Sequence, residues 1–325
     1  MMQTNSLGPL DNISRLTLGG GGIGQVWGTT SRDEALATVN ASYASGINLF
    51  DMAPLYGQGE AETVMGLAFA GGYPDDVRVT TKCMVGGVAA ELIEDKLVQS
   101  LDASCARLQR DYVDVFILHG YVVPDGWTES LRPRALPHIA VTWHNYQDHV
   151  VRVFEKLKQQ GRIGAWGVTA ASTQVTNLGL LAANHRPDVV QCMANLLDSP
   201  GSMAICKEQA DPRAVIRAAH AAGVGVMGIR AVAAGALTDA IDRDVKPDSA
   251  ERHDFNRAQG VRTIAAELGV SIAFLAHQYA LSMPGVDTVV LGVKNREELA
   301  ECLAAEAAGP LEEALIARID EAVVA

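Results

Sequence analysis

Eight short apolar runs, each followed by a segment of helical periodicity, recur along the chain, and this alternation constrains the fold more than any other feature. The runs are RLTLG (15–19), INLFD (47–51), VRVTTK (77–82), VDVFILH (113–119), IGAWGVT (163–169), DVVQC (188–192), VGVMGI (224–229) and DTVVLG (287–292). They show little polar alternation, as strands covered on both faces of a parallel sheet do. The first intervening segment, 31–46, opens with a capping box of Ser31 and Glu34. It sets Leu36, Val39 and Tyr43 on one face and closes at Gly46. Eight such units with no Pro/Ser-rich linker predict an α/β chain closed as one (β/α)8 TIM barrel domain over residues 1–325. Two connections exceed the rhythm, 120–147 after strand four and 239–254 after strand seven, and loops of that length read as lids or binding loops.

Composition limits the partners. With 48% hydrophobic and 20% charged residues the balance is that of a soluble globular protein. A formal charge of -12 argues against nucleic acid, which needs a basic stripe. The five cysteines (83, 105, 192, 206, 302) are scattered without a C-x-x-C pattern, which fits a reducing compartment. His138, His144 and His149 lack carboxylate or cysteine companions at ligand spacing, so no metal is expected. The N-terminal stretch has neither a basic n-region nor an apolar h-region, and no uncharged apolar run reaches the roughly 18 residues of a membrane span. The expectation is a cytoplasmic protein without membrane partners; nothing in the sequence marks an oligomer interface.

GGGGIG (19–24) fits the G-x-G-x-x-G pattern of doubly wound dinucleotide folds, with Asp51 ending the next strand. That mechanism needs a helix opening at the last glycine, whereas QVWGTT intervenes and the capping signal comes at Ser31. The glycines are assigned the plainer role of letting backbone approach a ligand or a turn.

In a barrel of this kind chemistry sits at the C-terminal ends of the strands. Strand two ends in Asp51, strand three in Lys82 and strand four in His119, while Tyr56 stands in the loop after strand two. Consecutive strands place these groups side by side, and a buried lysine needs a carboxylate. An ammonium about 4 Å from a phenol, at an effective dielectric near 20, is worth roughly 4 kcal/mol, or about 3 pKa units. The expectation is that Lys82 draws Tyr56 down toward useful acidity, Asp51 keeps Lys82 charged, and His119 holds a carbonyl oxygen.

Taken with INLFDMAPLYGQGEAETVMG, VTTKC, VDVFILHG, IGAWGVTA, VVQCMANLLD and LGVKNREELAEC, this tetrad resembles the aldo-keto reductase family from about residue 13 to 307. The resemblance implies hydride transfer between a nicotinamide cofactor and an aldehyde or ketone, with Tyr56 as proton donor, Lys82 and Asp51 its activating pair, and His119 orienting the substrate. It also implies a cofactor grip by residues after strands five to eight: Thr169, Gln191 toward the carboxamide, Ile229 where an aromatic often stands, and Gly235 with Leu237 over the pyrophosphate. Gly292 ends strand eight, and Lys294, Asn295, Glu298 and Cys302 follow it, where a helix start with basic side chains also suits a phosphate on charge grounds. Ala170 replaces an amide, Glu298 a Gln or Arg, and Cys302 an Asn of the family pattern. NADP(H) is therefore expected, with NAD(H) as the alternative. Trp27, and Tyr121, Trp127 and Trp143 on the loop after strand four, are the candidates for a substrate pocket. The substrate is expected to be a small carbonyl compound or alcohol. The rival readings are an NAD-dependent sugar or pyridoxal-type dehydrogenase running oxidatively, and a non-catalytic nicotinamide-binding regulatory subunit.

Overall fold

The computed structural model describes residues 2–208 and 211–324. An antiparallel hairpin, β1 (Thr4–Leu7) and β2 (Leu10–Ser14), precedes β3 (Leu16–Gly19), β4 (Leu49–Asp51), β5 (Arg78–Cys83) and β6 (Val113–Leu118). The 120–147 connection carries β7 (Tyr121–Val123) and β8 (Ala140–Thr142), which pair with each other, in parallel and apart from the main sheet. Then follow β9 (Ile163–Thr169), β10 (Val189–Met193), β11 (Gly225–Ile229) and β12 (Thr288–Leu291). β3 to β6 and β9 to β12 form a closed parallel barrel in chain order, with β12 pairing back onto β3. The expected (β/α)8 architecture is thus the observed one.

Side-chain alternation explains why the strands read as unbroken apolar runs. In β6, Val115 and Ile117 join Leu49, Ala165, Val189 and Met227 inside the barrel, while Phe116 and Leu118 face the helices. Outside, Phe116 meets Phe154 edge-on, and Phe154 stacks on Trp166 with centroids 5.4 Å apart. The unforeseen hairpin plugs the N-terminal mouth, since Leu7 and Ile13 are fully buried against the inward residues.

Polar residues at strand starts satisfy the amides left over at that end. Asn48 accepts from Ser14 N–H (2.9 Å), Asp114 from Val79 N–H (2.8 Å), Asp188 from Trp166 N–H (3.0 Å) and Asp287 from Val226 N–H (2.7 Å). Each joins two adjacent segments, so these four side chains serve backbone accounting and leave the opposite rim free for chemistry.

The capping box is half realised. Ser31 accepts the Glu34 N–H at the start of helix Arg32–Ala44, but the Glu34 carboxylate turns outward to Arg296. The long connections are more structured than expected: a helix begins at Trp143, and three helices, Ala250–Arg257, Gln259–Leu268 and Ile272–Ser282, follow β11. A last helix, Glu313–Val324, lies beyond the eightfold alternation. Among the described residues no single helix is long and apolar enough to cross a membrane.

Candidate active site

The rim opposite the hairpin opens into a cleft of about 680 Å³ whose lining includes Asp51, Tyr56, His119, Thr169 and Gln191. Asp51 ends β4 and Lys82 lies one residue before the end of β5, so strand direction alone delivers both to the rim. Tyr56 needs more. The chain turns through Gly57 (φ 65°), Gln58 (φ 56°) and Gly59 (φ 92°) before helix Glu60–Ala68 begins, and a Cβ at Gly57 would lie 2.6 Å from the Gly24 carbonyl. A side chain at that position would push the loop, and Tyr56 with it, off the barrel.

The Lys82 ammonium is sealed from solvent and has three acceptors. They are the Asp51 carboxylate at 2.8 Å, the Met52 carbonyl at 2.9 Å and the Tyr56 hydroxyl at 3.3 Å. An ammonium has three N–H groups and no lone pair, so all its donors are used and the Tyr56 oxygen must be the acceptor. The phenolic proton is thereby left free to point into the cleft. Asp51 is fixed in turn by the Thr80 hydroxyl.

These contacts set the charges. Burial pulls Lys82 down, but Asp51 and then Tyr56 more than reverse it, and its pKa ends above the usual lysine value. Burial also pushes the Tyr56 phenol up; Lys82 opposes this and Asp51 works against Lys82, so the pKa ends above 10. The expectation that Lys82 brings the phenol down is thus corrected: the carboxylate that keeps the lysine charged cancels much of its pull, and desolvation of a phenolate decides the sign. At neutral pH Tyr56 is a protonated donor.

Burial, with Lys82 behind it, lowers His119 to about 3, so the imidazole is neutral. Its ring meets the Tyr56 ring edge-on, centroids 5.7 Å apart, and its Nδ1 is buried without a partner. Because the folded-state pKa lies below the ordinary 6.5, this group's stability contribution is complete above pH 6.5 and is lost as pH falls toward 3. The free energy of urea unfolding is expected to drop by about 2 kcal/mol between pH 6.5 and 5 on account of His119 alone. His277, buried and also lowered, adds a slope of the same sign. His119→Asn should therefore flatten that limb in part, and an unchanged slope would show His119 to be solvated.

The other sequence candidates divide cleanly. Ile229, Gly235, Gly292, Lys294, Glu298 and Cys302 line the same cleft, as do Trp27 and Tyr121. Leu237 is fully buried and is not part of the lining. Asn295 caps helix Arg296–Ala307 by accepting the Glu298 N–H, and Arg296 is held on the surface by Glu34. Trp127 and Trp143 are outside the lining: Trp127 packs on the cluster around Tyr121, and Trp143 lies beside Tyr146 and Gly179. Their loop folds against itself through β7 and β8, which turns both rings away. Lys294 is bracketed by two acids, Asp242 at 2.6 Å and Glu298 at 2.7 Å.

The glycine run behaves as a packing device. Gly20–Ile23 form one helical turn, which the sequence did not announce. A Cβ at Gly22 would lie 1.9 Å from the Val293 carbonyl, and one at Gly21 2.6 Å from Trp27 Nε1. The turn thus presses the end of β3 onto the segment after β12 and seats Trp27 over Gly292.

Gln191 offers a test of what the cleft holds. Its Oε1 lies at the limit of reach of Thr169 Oγ1, 3.5 Å, while its Nε2 is buried with no partner. A buried amide N–H without an acceptor is costly, and a ligand carbonyl above the barrel end would satisfy it. Arg230, Arg132, Arg243 and Asp242 also line the cleft and were missed from the sequence. Arg230 was within reach of the strand-end rule, since it directly follows Ile229 at the end of β11. Among the described residues no group of three or more His, Cys, Asp or Glu side chains is placed to hold a metal.

The sequence model of the Aldo/keto reductase family matches residues 15–324. L-galactose dehydrogenase of Arabidopsis thaliana is 27% identical over 300 residues, spanning 90% of this chain and 84% of that protein. A probable voltage-gated potassium channel subunit beta of Oryza sativa subsp. japonica is 28% identical over 288 residues, spanning 82% and 80%. Among solved structures, an aldo-keto reductase from Klebsiella pneumoniae in complex with NADPH superposes with a TM-score of 0.69 at 20% identity, covering 99% of this chain and 95% of that one.

Proposed function

The chain belongs to the aldo/keto reductase family and is an oxidoreductase, and from that premise we propose that it reduces small aldehydes or ketones with NAD(P)H, Tyr56 donating the proton. The observation that carries this reading is the sealed Lys82 ammonium, which uses its last N–H on the Tyr56 hydroxyl at 3.3 Å and so turns the phenolic proton toward the cleft.

When bound, the reduced nicotinamide supplies the hydride. The unpartnered Gln191 Nε2 fits its carboxamide carbonyl, Thr169 and Ile229 flank that position, and Lys294 would meet the far, adenosine end. The rest of the work falls to the chain's own groups. Neutral His119 can donate one N–H to the carbonyl oxygen without adding a charge beside Lys82. As negative charge develops on that oxygen, Tyr56 transfers its proton, and the resulting phenolate is stabilised by the ammonium already in contact with it. Asp51 keeps Lys82 protonated throughout.

Fluorescence titration with NADPH and NADH, followed by carbonyl-dependent consumption of the bound cofactor over a panel of aldehydes and ketones, tests the proposal. Tight dinucleotide binding with no turnover across the panel would replace it with a regulatory, non-catalytic role.

The similarity to L-galactose dehydrogenase favours a second reading, oxidation of sugar-type alcohols or lactols. That direction needs Tyr56 as the base, and its pKa lies above 10. Oxidation rates are therefore expected to climb with pH up to and beyond 9, whereas reduction stays level until the phenol titrates; initial rates in both directions across pH decide the matter.

The adenosine end carries its own prediction. Lys294 is neutralised by Asp242 and Glu298, leaving little positive charge for a 2′-phosphate. Glu298→Gln keeps an acceptor for the Lys294 backbone N–H, which Glu298 Oε2 now takes at 2.8 Å. It is expected to tighten NADPH about tenfold relative to NADH, the scale of one unit charge removed at partly screened distance. An unchanged ratio of the two dissociation constants would place the 2′-position elsewhere.

A further inference from the structure

Arg230 sits at the rim by necessity, as the residue after the last one of β11, but its environment is unusual. Its backbone is left-handed (φ 63°), as are those of Ala233 (φ 46°) and Ala234 (φ 54°), a conformation that non-glycine residues adopt at a cost and that clusters at functional sites. Its side chain is only 7% exposed, yet Nε and Nη2 have no hydrogen-bond partner. The nearest acid, Glu251, is 3.9 Å from Nη2, beyond hydrogen-bond reach. Asp254, the other acid in its field, is already engaged by Ser199 and Arg257. A guanidinium stays charged, and sealing its donors without acceptors is among the costlier ways to build a core.

The chain makes room for this group. Gly201, whose φ of 51° favours glycine, passes close to this group: a Cβ there would lie 2.2 Å from Arg230 Nη2. That contact also gives direction: the guanidinium reaches toward the loop after β10, with Arg243 a further cation in its field. On this side Tyr121, two residues beyond His119, donates to the Met203 carbonyl at 2.9 Å, and both Arg132 and Arg230 act on its phenol. Arg132, Arg230, Tyr121 and Ser202 all line the cleft. The overall charge of -12 makes two arginines at this end a local feature and not a general basic surface.

We propose that Arg230, assisted by Arg132, is an anion-recognition subsite at the His119 end of the cleft, and that the preferred carbonyl substrates carry a carboxylate. The inference rests on the carbonyl-reducing reading given above. Both arginines line the cleft, so a substrate carboxylate there meets guanidinium charge, the group that pairs best with two carboxylate oxygens. The pyrophosphate of the dinucleotide has the same oxyanion chemistry, and the experiment separates the two sources.

Steady-state kinetics on the wild-type enzyme should compare succinic semialdehyde with butanal, and carboxylated with plain benzaldehyde. The acid of each pair is expected to have a kcat/KM at least about tenfold higher, the scale of a charge-assisted hydrogen-bond pair. Arg230→Gln should bring that ratio close to one, chiefly through KM for the acid, and Arg230→Lys should restore part of it by keeping charge without the fork. Dissociation constants for NADPH and NADH, measured by fluorescence on the same variants, should stay within about threefold. A wild-type ratio of one or less, with both aldehydes turned over, overturns the subsite and leaves the parent reading standing; no turnover of either sinks the parent. A loss in Arg230→Gln that appears in dinucleotide affinity also overturns it, by assigning the arginine to the pyrophosphate. Should the variant fail to fold, the wild-type ratio alone decides.

Discussion

Tyr56→Phe is expected to lower kcat for carbonyl reduction by about a thousandfold, within the range for removing a positioned general acid, while dinucleotide affinity changes less than about twofold. The substitution deletes one oxygen and keeps the ring that meets His119 edge-on at 5.7 Å. It removes one of the three acceptors around Lys82, but Asp51 at 2.8 Å and Met52 O at 2.9 Å remain, so the ammonium keeps its charge and its place. The loss should fall on kcat and not on binding, because the proton is needed only as charge develops on the substrate oxygen. Single-turnover measurements with preformed enzyme–cofactor complex isolate that step. Turnover within tenfold of wild type would mean that another group, or water, delivers the proton.

Lys82→Met should show a double effect. Removing the cation leaves Asp51, 2% exposed, as a buried charge without its partner, and breaking such a pair costs about 3–5 kcal/mol of stability. It also takes away the positive charge that would receive the Tyr56 phenolate, a loss expected to lower turnover by at least about a thousandfold. The double variant Asp51→Asn with Lys82→Met separates the two. Most of the stability should return, to within about 2 kcal/mol of wild type by urea titration, because no uncompensated charge is left. Activity should not return. A double variant as unstable as the single one would show that Lys82 supports the fold by packing and not by pairing. A double variant that regains turnover would end its assignment to the chemistry.

Much of this arrangement could be read along the chain. Strands buried on both faces must be apolar throughout, so β6 announced itself as VDVFIL, and an acid or a lysine at the end of such a run had nowhere to sit but the rim. Asp51, Lys82 and His119 were legible for that reason, and Tyr56 because glycines on its far side mark a turn. The β1–β2 hairpin was not, since its alternation is weak and its burial comes from the barrel mouth it plugs. Trp127 and Trp143 were misplaced on the pocket because aromatic content says nothing about which way a folded loop turns its rings. Arg230 was passed over because an arginine is ordinarily a surface residue, and only its surroundings show it to be enclosed.

By itself, then, the order of residue types determined the barrel and the set of groups on one arc of its rim: periodicity decides which face of a strand is covered, and strand direction decides which end a terminal residue occupies. Tertiary structure alone decided the protonation states. Whether Tyr56 lies above or below 10, and whether His119 carries a charge, depends on how much water each group loses and on the balance of Lys82 against Asp51. Those are sums over distances between residues far apart in the chain, and small shifts in position change their sign.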